Sequence, residues 1–310
     1  MMFETTQANR LPNQLPNRAG VGFKGEHAHD VIGKPGQVGW FEIHPENYMV
    51  AGGPRLAMLK ALRADHPLSM HGVGLSLGGG ERLDVNHLAD LKRLVDMFDP
   101  AMVSEHIAWS AHDGLYLADL LPIPMTQIAL DQLVDAIDQV QNAIGRKILI
   151  ENPTSYLALP VNSIPEIDFI TDAARRSGCG LLVDVNNIYI SAHNLGFDAN
   201  EYVDAISADL VGEIHLAGHE ADADPTDNVL IDTHSCPVSD PVWALFDRLI
   251  GRIGARPTLI EWDNDVPDWP SLHAEAALAD RHLARAVHAV SGDVVPRNTA
   301  AETSRAKVAS

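Results

Sequence analysis

Nine side chains able to ligate a metal recur at one kind of position in this chain, at or just beyond the carboxyl end of a short apolar run. They are His71, His106, Glu151, Asp184 with Asn187, His215, then Asp232 and His234 in the following loop, and Glu261. The stretch EIHLAGHEADADPTDNVLIDTHSCPV, residues 213–238, holds three of them. Asp232 and His234 stand at i and i+2, a spacing that lets both clasp one ion while His215 serves a neighbour. Taken singly, each has a bland meaning. A lone histidine in an apolar run is usually a hydrogen-bonded core residue, and a lone carboxylate ending a strand is usually a helix cap or ion-pair partner. Four histidines and four carboxylates at equivalent points are harder to dismiss, because that many anions cannot share a cavity without cations to offset their repulsion. The chain has six lysines, and none ends the third to eighth apolar run, so the expected cation is a metal. Imidazole and carboxylate without thiolate suit iron, manganese or zinc. The ligand count exceeds the coordination number of one ion and implies two or three. Cys236 reads as ordinary packing.

The elements that must position these residues are short β-branched or apolar runs at 20–23, 39–44, 67–72, 101–109, 147–152, 180–187, 210–218 and 257–263. Segments with helical spacing of apolar residues lie between them, among them 84–98, 125–145, 163–177, 199–208 and 239–251. Near-continuous apolar strands alternating with helices predict an α/β fold with a parallel sheet, and eight units predict closure into a single (β/α)8 TIM barrel. An open doubly wound sheet fits less well, since no Gly-rich phosphate turn follows the first strand. In a barrel all the strand ends meet at one mouth, so ligands scattered through the sequence become neighbours. The expected domain spans 19–288, with weakly ordered segments at 1–18 and 289–310.

The 310 residues carry 42 acids against 22 bases, a net charge of −20. Such a surface repels a phosphate backbone and argues against nucleic acid as partner. No apolar run is long enough to cross a bilayer, which argues against a membrane partner. The first residues lack the basic start and apolar block of a secretory signal, and Cys179 and Cys236 make no disulfide framework. Both point to the cytoplasm.

The segments WFEIHPENYM, MHGVGLSLGG, VSEHIAWS, ENPTSYL, LLVDVNNIYISAHNLGFD, EIHLAGH, DTHSCPV and LIEWDNDVP resemble those of the multinuclear non-haem iron-dependent oxidative enzymes, long called domain of unknown function 692. The likeness runs from about residue 20 to about 285. It implies a barrel of the xylose-isomerase-like type holding two or three irons (Fe2+/Fe3+) with O2 as co-substrate. It also implies oxidative modification of cysteine residues in a ribosomally synthesised precursor peptide, commonly with a separate partner protein that holds the peptide's leader. Carried over by position, it makes His71, His106, Glu151, Asp184, Asn187, His215, Asp232, His234 and Glu261 metal ligands, with Glu151 bridging two ions. His193 in SAHNLGFD is a ligand or a neighbour of one. His44, Glu46 and Asn47 in EIHPENY belong around the site, near substrate. A ferrous ion with open positions would bind the substrate thiolate and lower its pKa, while a second iron acts as a Lewis acid.

Rival readings survive at this point. The ligand spacing also resembles the trinuclear zinc site of type IV apurinic endonucleases, a metal phosphodiesterase, although Asn187 stands where that class places a histidine. A sugar isomerase is disfavoured by the lack of a lysine at the carboxyl ends of strands five to eight. A non-catalytic metal-binding barrel is the remaining alternative, distinguished from an enzyme by whether coordination positions stay open.

Overall fold

The computed structural model describes residues 14–112, 115–224 and 226–292. Eight parallel strands close on themselves. In chain order they are β1 (Ala19–Gly22), β2 (Phe41–Ile43), β3 (Leu68–Gly72), β4 (Met102–His106), β5 (Leu149–Glu151), β6 (Gly180–Asp184), β7 (Val211–Ala217) and β8 (Thr258–Glu261). Each pairs with its neighbours in sequence, and β1 closes the ring by pairing with β8 at Ala19↔Thr258 and Val21↔Ile260. The register aligns the candidate ligands: His106 lies opposite Glu151 on β5, and Asp184 opposite His215 on β7.

The helices follow from local chemistry. In Gln127–Ile144, Leu130, Leu133, Ile137, Val140 and Ile144 recur at helical spacing and are buried. The Thr126 side chain accepts from Ala129 N at its start, and Gly145 at φ 72° ends it in the left-handed conformation only glycine adopts freely. The helix Val85–Phe98 starts on Asp84, which accepts from Asn86 N at 2.8 Å. At its other end Arg63 donates to the carbonyls of Phe98 and Asp99 at 2.8 and 2.9 Å, satisfying groups that a helix end leaves unpaired. Buried Leu94 on this helix, with Leu59, Phe169 and Phe246 on the helices Pro54–Asp65, Glu166–Ser177 and Asp240–Ile253, joins the hydrophobic core.

The largest departures from the predicted runs are in the fourth and the sixth. The fourth stops as a barrel strand at His106, and Trp109–His112 turns away to pair antiparallel with Leu115–Leu121 as a hairpin beside the mouth. The sixth stops at Asp184, whose side chain accepts from Asn187 N at 2.6 Å and starts the helix Val185–Leu195. Asn187 therefore sits in the first turn of a helix, not on a strand. Residues 1–13 and 293–310, which include most of the two segments expected to be weakly ordered, lie outside the described residues. Within the first segment Leu15 is buried and Arg18 pairs with Asp280 at 2.8 Å, and the last helix, Trp269–Gly292, runs beyond the expected boundary at 288.

Candidate metal centre

β3, β4 and β5 deliver the tightest group. His71 Nε2 lies 3.1 Å from Glu151 Oε2, His106 Nε2 lies 3.0 Å from the same oxygen, and the two nitrogens are 3.3 Å apart. His106 Nδ1 donates to the Gly72 carbonyl at 2.9 Å, so in the neutral ring Nε2 presents a lone pair to the cluster. Gly72 has no side chain because Glu105 Oε2 occupies that space.

The other oxygen of Glu151 faces a second group. Its Oε1 is 3.9 Å from His215 Nδ1, which lies 3.2 Å from Glu261 Oε2. Ligand atoms of Asp184, His215 and Glu261 all fall within 4.8 Å of one another. Glu151 thus spans two clusters, one through each oxygen.

A third set stands above. His234 Nε2 is 2.8 Å from Asp232 Oδ1. Thr154 Oγ1 lies 2.8 Å from Asp232 Oδ2 and also contacts Asn187 Oδ1, joining the two residues. Asn187 Nδ2 donates to the Asn152 carbonyl at 3.0 Å, which leaves its carbonyl oxygen facing Thr154. His234 is held at φ 48°. Its own N–H donates to the Gly218 carbonyl, and its carbonyl accepts from Asp263 and Asn264. A left-handed non-glycine conformation is retained when surrounding bonds fix it, and such residues cluster at functional sites.

Without a metal ion the buried carboxylates are offset only by protons. Burial, then Glu151, Asp232 and Glu261, push the Asp184 carboxyl well above its ordinary range. Burial acts the same way on Glu151, but His106 and His71 overcome it and hold that carboxyl well below its usual range. Burial disfavours charge on His106 too, yet Glu151 raises it to about 10. Several of these buried atoms, among them Glu151 Oε2, Asp184 Oδ2 and His234 Nε2, lack a well-aligned hydrogen bond although opposing ligand atoms surround them. Converging unsatisfied lone pairs in a site this dry are what metal ions fit. Histidine nitrogens and carboxylate oxygens are the donors expected for iron, manganese or zinc.

The residues expected around the site do surround it. His44 Nδ1 donates to the His71 carbonyl at 3.1 Å. Glu46 Oε1 accepts from Val73 and Gly74 N–H, both at 3.0 Å, fixing the loop that follows His71. With Asn47 they line a mouth cavity of about 260 Å³ that also touches His106, His234 and Glu261. His193 is placed elsewhere, exposed on its helix, where its ring donates to the Asn228 carbonyl at 3.0 Å. Sequence reading missed Asp263, which accepts an ion pair from Lys24 and lies 3.6 Å from His44. It also missed Glu42 and Glu213, buried against His215 at 3.4 and 3.5 Å. The available signal was a charged residue two positions before a candidate histidine, in FEIH and GEIH, within an otherwise apolar strand.

Fold and site together define a xylose-isomerase-like TIM barrel carrying candidate metal clusters at its carboxyl end. The fold matches D-allulose 3-epimerase from Methylomonas sp. (TM-score 0.56, 14% identity, 88% of this chain and 97% of that one). It equally matches endonuclease IV from Thermus thermophilus (TM-score 0.54, 15% identity, 87% and 99%). Both likenesses speak for the fold alone. Residues 18–284 match the family model of the RiPP precursor modification enzymes MbnB/TglH/ChrH, and the chain belongs to that family. A UPF0276 protein of Caulobacter vibrioides is 53% identical over 272 residues, covering 86% of this chain and 97% of its own. Another, from Bordetella pertussis, is 46% identical over 280 residues, covering 90% and 97%. The protein is therefore an enzyme of a family that modifies ribosomally made precursor peptides.

Proposed function

We propose that this enzyme binds two or three iron ions and uses O2 to modify cysteine residues oxidatively in a precursor peptide, in the cytoplasm, with a separate protein holding the peptide's leader. The observation that carries the reading is Glu151, one oxygen facing His71 and His106, the other facing His215. A carboxylate with one oxygen toward each of two ligand sets would suit a pair of irons working together. His71, His106 and Glu151 would hold one ion; Glu151, Asp184, His215 and Glu261 a second; Asn187, Asp232 and His234 a third.

Bound iron would supply the redox equivalents and the Lewis acidity that no side chain in the cluster has. The protein's own groups do the rest. The Gly72 carbonyl sets the tautomer of His106, and Glu46 pins the loop after His71. Thr154 fixes Asn187 to Asp232. The cavity bounded by His44, Asn47 and Leu120 admits a peptide residue from solvent directly onto the ligands. The acidic surface suits a basic peptide segment or partner.

The test is metal analysis with Mössbauer spectra on protein purified without oxygen. Two or three irons per chain whose spectra change on exposure to O2 and a cysteine-containing precursor support the reading. Zinc alone, with cleavage of abasic DNA, replaces it with the phosphodiesterase.

A further inference from the structure

One layer deeper in the barrel than the ligands lies a group of polar side chains that the proposed chemistry does not use. Glu42 on β2, Ser69 on β3 and Glu213 on β7 are 3%, 0% and 0% exposed. Ser69 and Glu213 each sit two residues before a candidate ligand, His71 and His215, and so project into the barrel on the same side as those ligands. Ser69 Oγ donates to Glu213 Oε2 at 3.3 Å. His215 Nε2 faces Glu42 Oε1 at 3.4 Å and Glu213 Oε1 at 3.5 Å. Glu42 Oε2, Glu213 Oε1 and His215 Nε2 are all sealed from solvent and lack a well-aligned hydrogen bond.

The opposite edge of the same ring decides what these groups do. His215 Nδ1 points at Glu261 and Glu151. An imidazole that gives the Nδ1 lone pair to a metal carries its remaining proton on Nε2. That N–H is fully buried, and leaving it without an acceptor would cost the full desolvation penalty of the group. The oxygens the structure places beside it belong to Glu42 and Glu213.

We infer that Glu42 and Glu213, with Ser69 steadying Glu213, are positioning residues that hold His215 through Nε2–H and aim Nδ1 at the ion shared with Asp184 and Glu261. This rests on the reading of His215 as a metal ligand, though not on the metal being iron. Carboxylate partners of ligating histidines orient the ring and raise its basicity, and losing them typically weakens metal binding about 10–100-fold.

The experiment is anaerobic titration of ferrous iron into chelator-treated protein, followed by Mössbauer spectroscopy. The wild type is compared with the Glu42→Leu/Glu213→Leu and Glu42→Gln/Glu213→Gln double variants. Replacing buried ionic groups with apolar residues of similar volume is often tolerated by a fold, and circular dichroism checks it. The leucine pair should weaken one iron site about 10–100-fold and leave the others filled. The glutamine pair, which keeps oxygen acceptors, should restore occupancy while shifting the spectrum of that one iron. Wild-type affinity and spectrum in both folded variants would overturn the inference. If the leucine pair does not fold, the glutamine pair and Ser69→Ala decide it, an unchanged spectrum in both counting against. Should the wild type prefer zinc, the iron assignment fails on its own, and the same affinity comparison run with zinc still tests the role of the carboxylates.

Discussion

The two ends of this barrel are built on opposite principles. At the amino end, Leu15, Trp40, Ala101 and Leu259 form a small apolar plug. Its few polar groups are satisfied: Trp40 Nε1 donates to the Arg18 carbonyl at 3.0 Å, and Arg146 donates to the Pro100 and Ala101 carbonyls at 2.6 and 3.0 Å. Gly20 has no side chain because the Trp40 ring fills that space. At the carboxyl end, histidines and carboxylates are buried together, with lone pairs facing lone pairs. One end closes the barrel by hydrophobic burial. The other gives up stability to bury the donors of a candidate metal site, which is the usual division of labour in this architecture.

The largest expected effect of breaking this contrast is at Glu151. Glu151→Ala should remove ligands from two clusters at once, abolish activity and lower bound metal. His234→Ala should also abolish activity while removing less metal. Elemental analysis of the purified variants checks both, and normal metal and turnover in each would sink the site assignment.

Trp40→Ala should act in the reverse sense. It should cost about 3–5 kcal/mol of stability, the range for truncating a buried aromatic, while leaving metal stoichiometry unchanged. Denaturant unfolding of the metal-free protein, paired with metal analysis, checks it. Loss of metal in a folded Trp40 variant would mean the two ends are coupled.

The smallest effect lies outside the metal centre. A groove of about 510 Å³ flanks the mouth, lined by Ile123, Leu157 and Phe197, with Glu166 on its wall. Burial raises the Glu166 carboxyl from 4.5 to about 7 despite the hydrogen bond it accepts from Tyr202. The folded chain therefore keeps a proton that the unfolded chain releases. This group's contribution makes stability fall as pH rises from 4.5 towards 7, then levels off. Glu166→Gln should remove that slope, measured as Tm against pH; an identical slope in the variant would contradict the assignment.

Much of this was legible in the sequence. All eight strands overlap the predicted runs, and the aligned positions of His71, His106, Glu151, Asp184, His215 and Glu261 follow from strand ends meeting at one face. One departure came where a local signal had two meanings. VDVNN reads as a strand continuing past Asp184, but a carboxylate followed by amide side chains also starts a helix, and here Asp184 caps one. His193 lies in a segment that resembles its family's, yet the helix carries its side chain outward. The two carboxylates behind His215 went unread because only the strand ends were read for ligands, although a charged residue two positions before an inward histidine shares its face.

The sequence by itself determined the alternation of elements and the kind of donors available, since both follow from residue type and spacing along the chain. Only the tertiary structure decided how the donors divide into sets, that Glu151 joins two of them, and that His215 has carboxylates on both edges of its ring. Those facts depend on distances between residues far apart in the chain, fixed by barrel closure and strand register, which no local pattern encodes.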